Sequence, residues 1–518
     1  MRKKWGNRIG AIVLACALTM NGLPVQSISA STQKAYAAAK SETGKQDVSQ
    51  PETKMGNVVL DGNDIAVNNV NGLTYKGFGM LSGNSTSDLL MDYKAEQPKA
   101  YAELMQYLFG GNYPIMNHVK LEMGNDRNTS TGPESCTKRT EKEKANVLRN
   151  PGWQLAADAK EINPKIKVSI LRWEAPVWAG TDEKIYQWYK ETILDAYEKY
   201  GYMVDYINPN INEKWDVDSD VAFTKKFAKW IAAETKETIP DEKALALYHK
   251  IKLVVSDEAG TASDSVVESM KSDSDFYNSV DVVGYHYSPW DDSNGGMKWL
   301  AQTKDKEVWN SEAQATFSNS AFRPANNVKD PTTEGTGLGG TGSALEMANT
   351  FIKGFVQSRR SHVIYQPAIG SFYEGAQFSF KELVSARDPW SGWIHYDAGL
   401  LMLAHISKFA VTGWENEDNT AGIWRAVPQA SKCTADGTNP VNGRNGGENY
   451  MTLASPAKDN FSTMIVNDSE YPMEYKIQTK NMKLAEDQNL EIWETRAADD
   501  GAFNENYMKC IGTAKADD

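Results

Sequence analysis

Several short apolar runs in the sequence end in an ionisable residue, which is how a set of parallel strands delivers reactive side chains to one face. The residues are Asp126 after "PIMNHVKLEMG", Glu174 after "IKVSILRW", Glu213 in "INEKW", Asp257 and Glu258 in "VVSDEAG", His286 in "VVGYHY", Glu312 in "WNSEAQ" and Glu374 in "SFYE". Hydrolysis of a glycosidic bond needs two carboxyl groups. One is protonated and assists the leaving oxygen; the other is ionised and attacks the sugar or activates water. Glu213 and Glu312 fit that pair, and Asn212, just before Glu213, is placed to hydrogen-bond a sugar 2-hydroxyl. Any one glutamate at a strand end is also what a helix cap or an ion pair looks like, so spacing alone leaves both readings open. Other chemistries find less support. The six histidines (118, 249, 286, 362, 395 and 405) show no H-E-x-x-H or paired spacing, so no metal or other cofactor is expected. No G-x-S-x-G elbow marks a serine nucleophile. The segment "GTGLGGTGS" contains G-x-G-x-x-G at Gly335 and again at Gly337. The polar run "NNVKDPTTE" precedes it instead of a strand, so it reads as a loop, not a nucleotide site.

The elements that must position these groups alternate. Strand-like runs are "YKGFGMLSG", "PIMNHVKLEMG", "IKVSILRWEAP", "VDYINPNINE", "IKLVVSDEAG", "VDVVGYHY", "EVWNSEAQ" and "HVIYQPAIGSFYE". Between them lie helical patterns such as "DEKIYQWYKETILDAYEKYG", apolar at i, i+3, i+4 and i+7. Eight such repeats predict an α/β fold, a (β/α)8 TIM barrel over 75–413, with catalytic groups on the face where the strands end. An open doubly wound sheet is the alternative. In a barrel, strands four and seven face each other across the mouth, which sets Glu213 opposite Glu312. From about Trp414 the helical period stops, and "ENYMTLAS", "NFSTMIVND", "MEYKIQT" and "NLEIWET" predict an appended antiparallel β-sandwich over 414–518. Two short strand-like runs in 55–74 are expected to complete that sandwich.

Composition bounds the rest. The chain has 518 residues, 41% hydrophobic and 10% aromatic, enough for a large core. Arg2, Lys3, Lys4 and Arg8 precede the apolar run "IGAIVLACALTM", and small residues follow at "SISA" and "AYA". This predicts a signal peptide over 1–37, with cleavage after Ala30 as the alternative, a polar tether over 38–54, and a secreted, extracellular product not inserted in a membrane. Removing 1–37 takes away five basic residues and no acid, which leaves 50 basic against 68 acidic, a net of −18. So acidic a surface repels phosphate backbones and anionic lipid, which disfavours nucleic acid and membrane surfaces as partners. The three cysteines that remain exclude a full disulfide framework and leave a Cys433–Cys510 pairing open.

The sequence resembles the galactocerebrosidase (galactosylceramidase) family of retaining β-galactosidases, built on a (β/α)8 barrel with a β-sandwich. The similarity runs from about Lys76 to Val466. It rests on "GFGMLSGNSTSDLL", "LEMGNDRNTSTGPES", "DAKEINPKI", "DYINPNINE", "VVSD", "VVGYHY", "WNSE", "SFYE" and "DPWSGW", in that order. The resemblance implies Glu213 as acid/base, Glu312 as nucleophile, and Thr86 and Asn212 as sugar contacts. Trp173, His286 and Tyr287 match residues near the cleft. It further implies a β-galactoside glycan or glycolipid as substrate, a double displacement, and Glu213 kept protonated by its neighbours. The departures are specific. Gln154 stands where the family has a second Trp, the cleft Trp of strand eight falls near Tyr365 or Gln366, and no arginine follows "NFSTMIVND" before Arg496. No counterpart of the lectin-like domain of the family's lysosomal enzymes is found. The expectation is an exo-β-galactosidase. Two readings stand beside it, a β-glycanase acting on galactan or another glycan, and a non-catalytic carbohydrate-binding protein, against which both retained glutamates argue.

Overall fold

A computed structural model describes residues 11–16, 52–83, 86–127, 134–259, 262–287, 295–313, 344–366, 368–371, 383–386, 388–396, 398–410, 424–434, 447–467, 469, 471–486, 488–496 and 508–515. Eight parallel strands close into a barrel. They are β1 (Gly77–Leu81), β2 (Met116–Glu122), β3 (Lys167–Arg172), β4 (Tyr206–Ile211), β5 (Lys252–Ala259), β6 (Val282–His286), β7 (Glu307–Ala313) and β8 (His362–Tyr365). The pairing of His362 with Gly77, in parallel, joins β8 to β1 and rules out the open sheet. Every position of β1, β2, β6, β7 and β8 is buried, because the barrel interior covers one face and helices the other.

The helices follow from their caps and stripes. The helix Asp182–Tyr200 starts at Thr181, whose side chain accepts from the Lys184 N–H, and stops at Gly201, which takes a left-handed φ of 77°. Asp216 opens Val217–Ala233 in the same way, accepting from the Ser219 N–H. The barrel interior is filled by Leu81, Leu171, Tyr206, Val254, Val282, Trp309 and Ile364. Toward its N-terminal end the packing is closed by imidazoles: His118 Nδ1 lies 3.0 Å from His362 Nε2, and His118 Nε2 lies 2.7 Å from Ser169 Oγ. A cavity of about 930 Å³ opens beyond them, rimmed by Lys76, Lys167, Lys252 and Glu307 at strand starts, at the opposite end from Glu213 and Glu312.

The C-terminal strands form a sheet in which Asn449–Ala454 pairs antiparallel with Phe461–Asn467, and Asn489–Arg496 with Lys509–Lys515. A second, two-stranded sheet packs on it through Val58, Tyr475 and Ile477 against Tyr450 and Ile465. In this second sheet Lys54–Asp61 pairs with Met473–Lys480 in parallel, a difference from the antiparallel expectation. Parallel partners need a long crossover, and here the whole barrel serves as that connection. The backbone of Ala11–Cys16, inside the segment expected as a leader, lies as a strand between Phe461–Asn467 and Asn489–Arg496. Cleavage after Ala37 would take this strand away and leave two facing edges open. Cys510 is a free thiol, so the Cys433–Cys510 bridge is not formed. Among the described residues no helix is long and apolar enough to cross a membrane. The glycine-rich segment 335–342, and Glu374, lie outside the described residues.

Candidate active site

The ends of β4 to β7 converge on one small polar cluster. β4 stops at Ile211; the Asn212 N–H then donates to the Arg172 carbonyl (2.9 Å) and the Glu213 N–H to the Asp257 carbonyl (3.0 Å). These bonds hold Glu213 at φ 56°, a conformation a non-glycine residue keeps only when its surroundings impose it. Asp257 (46°) and Tyr287 (59°) share that strain at the ends of β5 and β6. Glu312 sits within β7 and is buried, while Glu213 is partly open to solvent. The Tyr287 hydroxyl donates to Glu312 Oε1 (2.5 Å). His286 joins the two glutamates from below, with Nδ1 3.0 Å from Glu213 Oε1 and 3.5 Å from Glu312 Oε2. A carboxylate oxygen of Glu213 lies within 4.8 Å of one of Glu312.

A second polar layer supports the first. Asp257 Oδ1 lies 3.4 Å from His286 Nε2, and its Oδ2 receives Lys120 Nζ (3.1 Å) and Asn208 Nδ2 (2.9 Å). Lys120 Nζ also donates to the Ser311 carbonyl (3.1 Å). The register of β5 shifts between Ser256 and Glu258, and that of β6 between Tyr285 and His286. Such bulges re-aim side chains, and this one separates neighbours: Asp257 turns inward while Glu258 accepts the Trp215 N–H (3.1 Å). Gly284 admits the layer, since a Cβ there would lie 2.4 Å from Ser311 Oγ and 2.7 Å from Asp257 Oδ1.

The protons follow from these neighbours. Burial alone would depress the His286 imidazole, but the charge of Glu312 and the bonds to Asp257 and Glu213 raise it to about 9. Burial would lift Glu213, yet the hydrogen bond and charge of His286 outweigh it and hold Glu213 below the ordinary glutamate value. The expectation was that its neighbours keep Glu213 protonated; in the unliganded site they instead favour its ionised form beside a charged His286. Burial and the Glu312 charge lift Glu122 to about 7, against a bond from Trp173. Glu213, His286 and Glu312 also bring one ligand atom each close enough to meet a cation.

The structure thus gathers Glu213, Glu312, His286 and Tyr287. His286, expected near the cleft, is almost wholly buried beneath the carboxylates. Asn212 is buried beside Glu213, and neither of its side-chain amide atoms has a partner among the described residues. Trp173 reaches the cluster through its Nε1–H, which donates to Glu122 Oε1 (3.2 Å). Thr86 opens the helix Thr86–Glu96, and its hydroxyl donates to the Ile369 carbonyl (3.0 Å). The other strand-end acids have structural partners: Asp126 binds Arg139 (2.7 Å) and Glu174 pairs with Arg127. Lys120 and Glu122 were missed. Their signal is the alternation of His118, Lys120 and Glu122 with Val119 and Leu121 between them, which puts three polar groups on one face of the strand.

A profile of glycosyl hydrolase family 59 matches residues 75–408, the whole of this barrel. The chain belongs to that family. It is similar to the galactocerebrosidase of Danio rerio, 25% identical over 357 residues that cover 66% of this chain and 46% of that protein. Similarity to the Homo sapiens galactocerebrosidase is 27% over 350 residues, covering 66% and 44%. The family 59 chain therefore spans less than half the length of these curated relatives. Among solved structures it shares its fold with SrfJ from Salmonella typhimurium, at a TM-score of 0.53 and 12% identity, covering 88% of this chain and 99% of that one. A conserved exported protein from Bacteroides fragilis gives a TM-score of 0.55 at 11% identity, covering 88% and 96%.

Proposed function

We propose that this family 59 member is an exported retaining exo-β-galactosidase that removes terminal β-galactose. The observation that carries the reading is the approach of Glu213 and Glu312 to within 4.8 Å between carboxylate oxygens. Retaining enzymes set the two groups about 5–5.5 Å apart, close enough for direct attack, whereas inverting enzymes leave room for a water at about 6.5–9.5 Å. Glu312 attacks the anomeric carbon; its C–O bond forms as the glycosidic C–O bond breaks, and Glu213 gives a proton to the departing oxygen. Water then attacks the same carbon, Glu213 takes its proton, and the ester to Glu312 breaks. Tyr287 orients Glu312, and the amide of Asn212 supplies a hydrogen bond to the sugar 2-hydroxyl. Thr86 and Trp173 complete the sugar contacts, and no cofactor takes part. Galactose follows from the galactocerebrosidase relatives, and export from the charged, then apolar, N-terminal segment.

Action on a longer glycan is the second reading. It is supported at strand eight, where the resemblance places a cleft tryptophan near Tyr365 or Gln366 and Tyr365 is a smaller, buried ring. The test of both is release of nitrophenol from a panel of aryl β-glycosides, with Glu312→Gln as control. Fastest release from the galactoside, lost in the variant, is expected; equal release by the variant would overturn the assignment.

A further inference from the structure

We propose, building on the retaining reading above, that His286 is the proton store of the site: it lends Glu213 the proton used in the first displacement and takes it back after the second. The ring is about 1% exposed and cannot touch a substrate, so it is a positioning residue that acts through Glu213. Both of its nitrogens face carboxylates, Nδ1 toward Glu213 (3.0 Å) and Glu312 (3.5 Å), Nε2 toward Asp257 (3.4 Å). With Glu213 and Asp257 both ionised, a neutral imidazole would turn a lone pair on one of these oxygens, and the doubly protonated ring satisfies both sides; with the proton on Glu213, the neutral ring accepts it at Nδ1. Asp257 is itself fixed by Lys120 and Asn208, so the ring is held at a set distance from Glu213. The charged and titratable groups around it are Lys120 and Glu122 of β2, Glu213 after β4, Asp257 of β5, Tyr287 after β6 and Glu312 of β7. One imidazolium and one lysine thus stand among several acids.

The cycle balances. A sugar covering the partly open Glu213 strips water from its carboxylate and favours the neutral form. The Nδ1–H bond then breaks, an O–H bond forms on Glu213, and the ring becomes neutral. Glu213 passes this proton to the leaving oxygen as Glu312 bonds to the anomeric carbon. In the glycosyl-enzyme the Glu312 charge is spent in an ester, which removes the main attraction for a charged ring, so His286 stays neutral. When water attacks, Glu213 takes its proton, Glu312 regains its charge, and the proton returns to Nδ1.

Three measurements test this. In kcat/KM, which reports the free enzyme, the alkaline limb for the wild type should lie near pH 9. In His286→Gln it should fall by about 2 pH units or more, toward the range of Glu213 itself. The same variant should lose about 100-fold on phenyl β-galactoside, whose leaving group needs a proton, and less than about tenfold on the dinitrophenyl galactoside, which does not. Asp257→Asn should shift the limb the same way. The third needs no variant: labelled histidine in the wild type should show His286 charged at pH 7.5 and neutral once Glu312 is trapped by a 2-fluoro galactoside. An unmoved limb in a folded variant, equal losses on both substrates, or a neutral His286 in the free enzyme would overturn the proposal. A wild-type protein that hydrolyses the panel while His286 fails these tests sinks this proposal alone; no turnover of any glycoside sinks the retaining reading with it.

Discussion

Glu312 carries the bond to the sugar in the proposed mechanism, and Glu213 only a proton, so their removal should differ in kind. Glu312→Ala should bring turnover below detection on every substrate without lowering the melting temperature, as judged by calorimetry. Glu213→Ala should lose about 10²–10⁴-fold on substrates with poor leaving groups, much less on dinitrophenyl ones, and azide should restore part of the second step. Essential Glu174 or Glu258 beside a dispensable Glu213 would contradict this. His286 adds a stability effect whose sign is fixed by its raised folded value. The folded protein binds this proton more tightly than the unfolded chain, so the contribution is complete below about pH 6.5 and is lost as pH rises to about 9. Chemical denaturation of wild type and His286→Gln across pH 6.5–9 should therefore show the steeper fall for the wild type. At this scale the two glutamates were legible because each ends a strand that the apolar pattern reveals. Asp257 could not be told from Glu258, since only the bulge in β5 decides which of the two turns inward. The location of the proton was illegible for the same reason, depending on three strand ends meeting at one ring.

The strands succeed in presenting this cluster because small residues let its layers approach. Gly284→Ala would press a methyl group onto Ser311 and Asp257, both within 2.7 Å of the new carbon. Overpacking of this kind costs about 1–3 kcal/mol. A lowered midpoint in urea is expected, together with an activity loss at temperatures where the variant is still folded, because Asp257 would be pushed off His286. Unchanged activity would mean that the second layer does not position the first. The N-terminal strand makes the opposite prediction. Ala11–Cys16 pairs with the C-terminal sheet and with no barrel strand. A chain beginning at residue 38 should keep its kcat/KM, and any loss of stability should appear in the sheet, as faster amide exchange in Phe461–Asn467 and Asn489–Arg496. The eight barrel strands could be read because parallel strands buried on both faces are nearly unbroken apolar runs. The parallel pairing of Lys54–Asp61 could not, because nothing local distinguishes a partner more than 400 residues away from a hairpin neighbour. An apolar, β-branched run such as "AIVLAC" satisfies both a leader and a central strand, which is why its place in the sheet was not foreseen.

Over the whole molecule, the preference among substrates separates two contributions, the sugar ring in the site and the approach of what carries it. The ring should be galactose. Telling it from its glucose epimer needs hydrogen bonds to one axial hydroxyl, and site groups left unpaired by the wrong epimer can cost orders of magnitude. Under the galactose assignment proposed above, Glu122, buried and polar beside the paired glutamates, is a group of this kind. The approach should favour soluble galactosides. The chain is acidic at −13, and removal of 1–37 makes it −18. That charge repels an anionic bilayer and slows every encounter with a lipid embedded in one, while a soluble glycoside meets no such field. The effect is electrostatic and should weaken with salt, since charges beyond about 10 Å are screened at 0.1 M. Values of kcat/KM for aryl β-galactoside, aryl β-glucoside and galactosylceramide in anionic vesicles should therefore fall in the order galactoside first. Added salt should narrow the gap to galactosylceramide and leave the gap to the glucoside unchanged. A preferred glucoside would overturn the galactose assignment. A ceramide preferred by tenfold or more, about 1.4 kcal/mol, would mean that some part of the molecule holds a lipid surface strongly enough to override its charge.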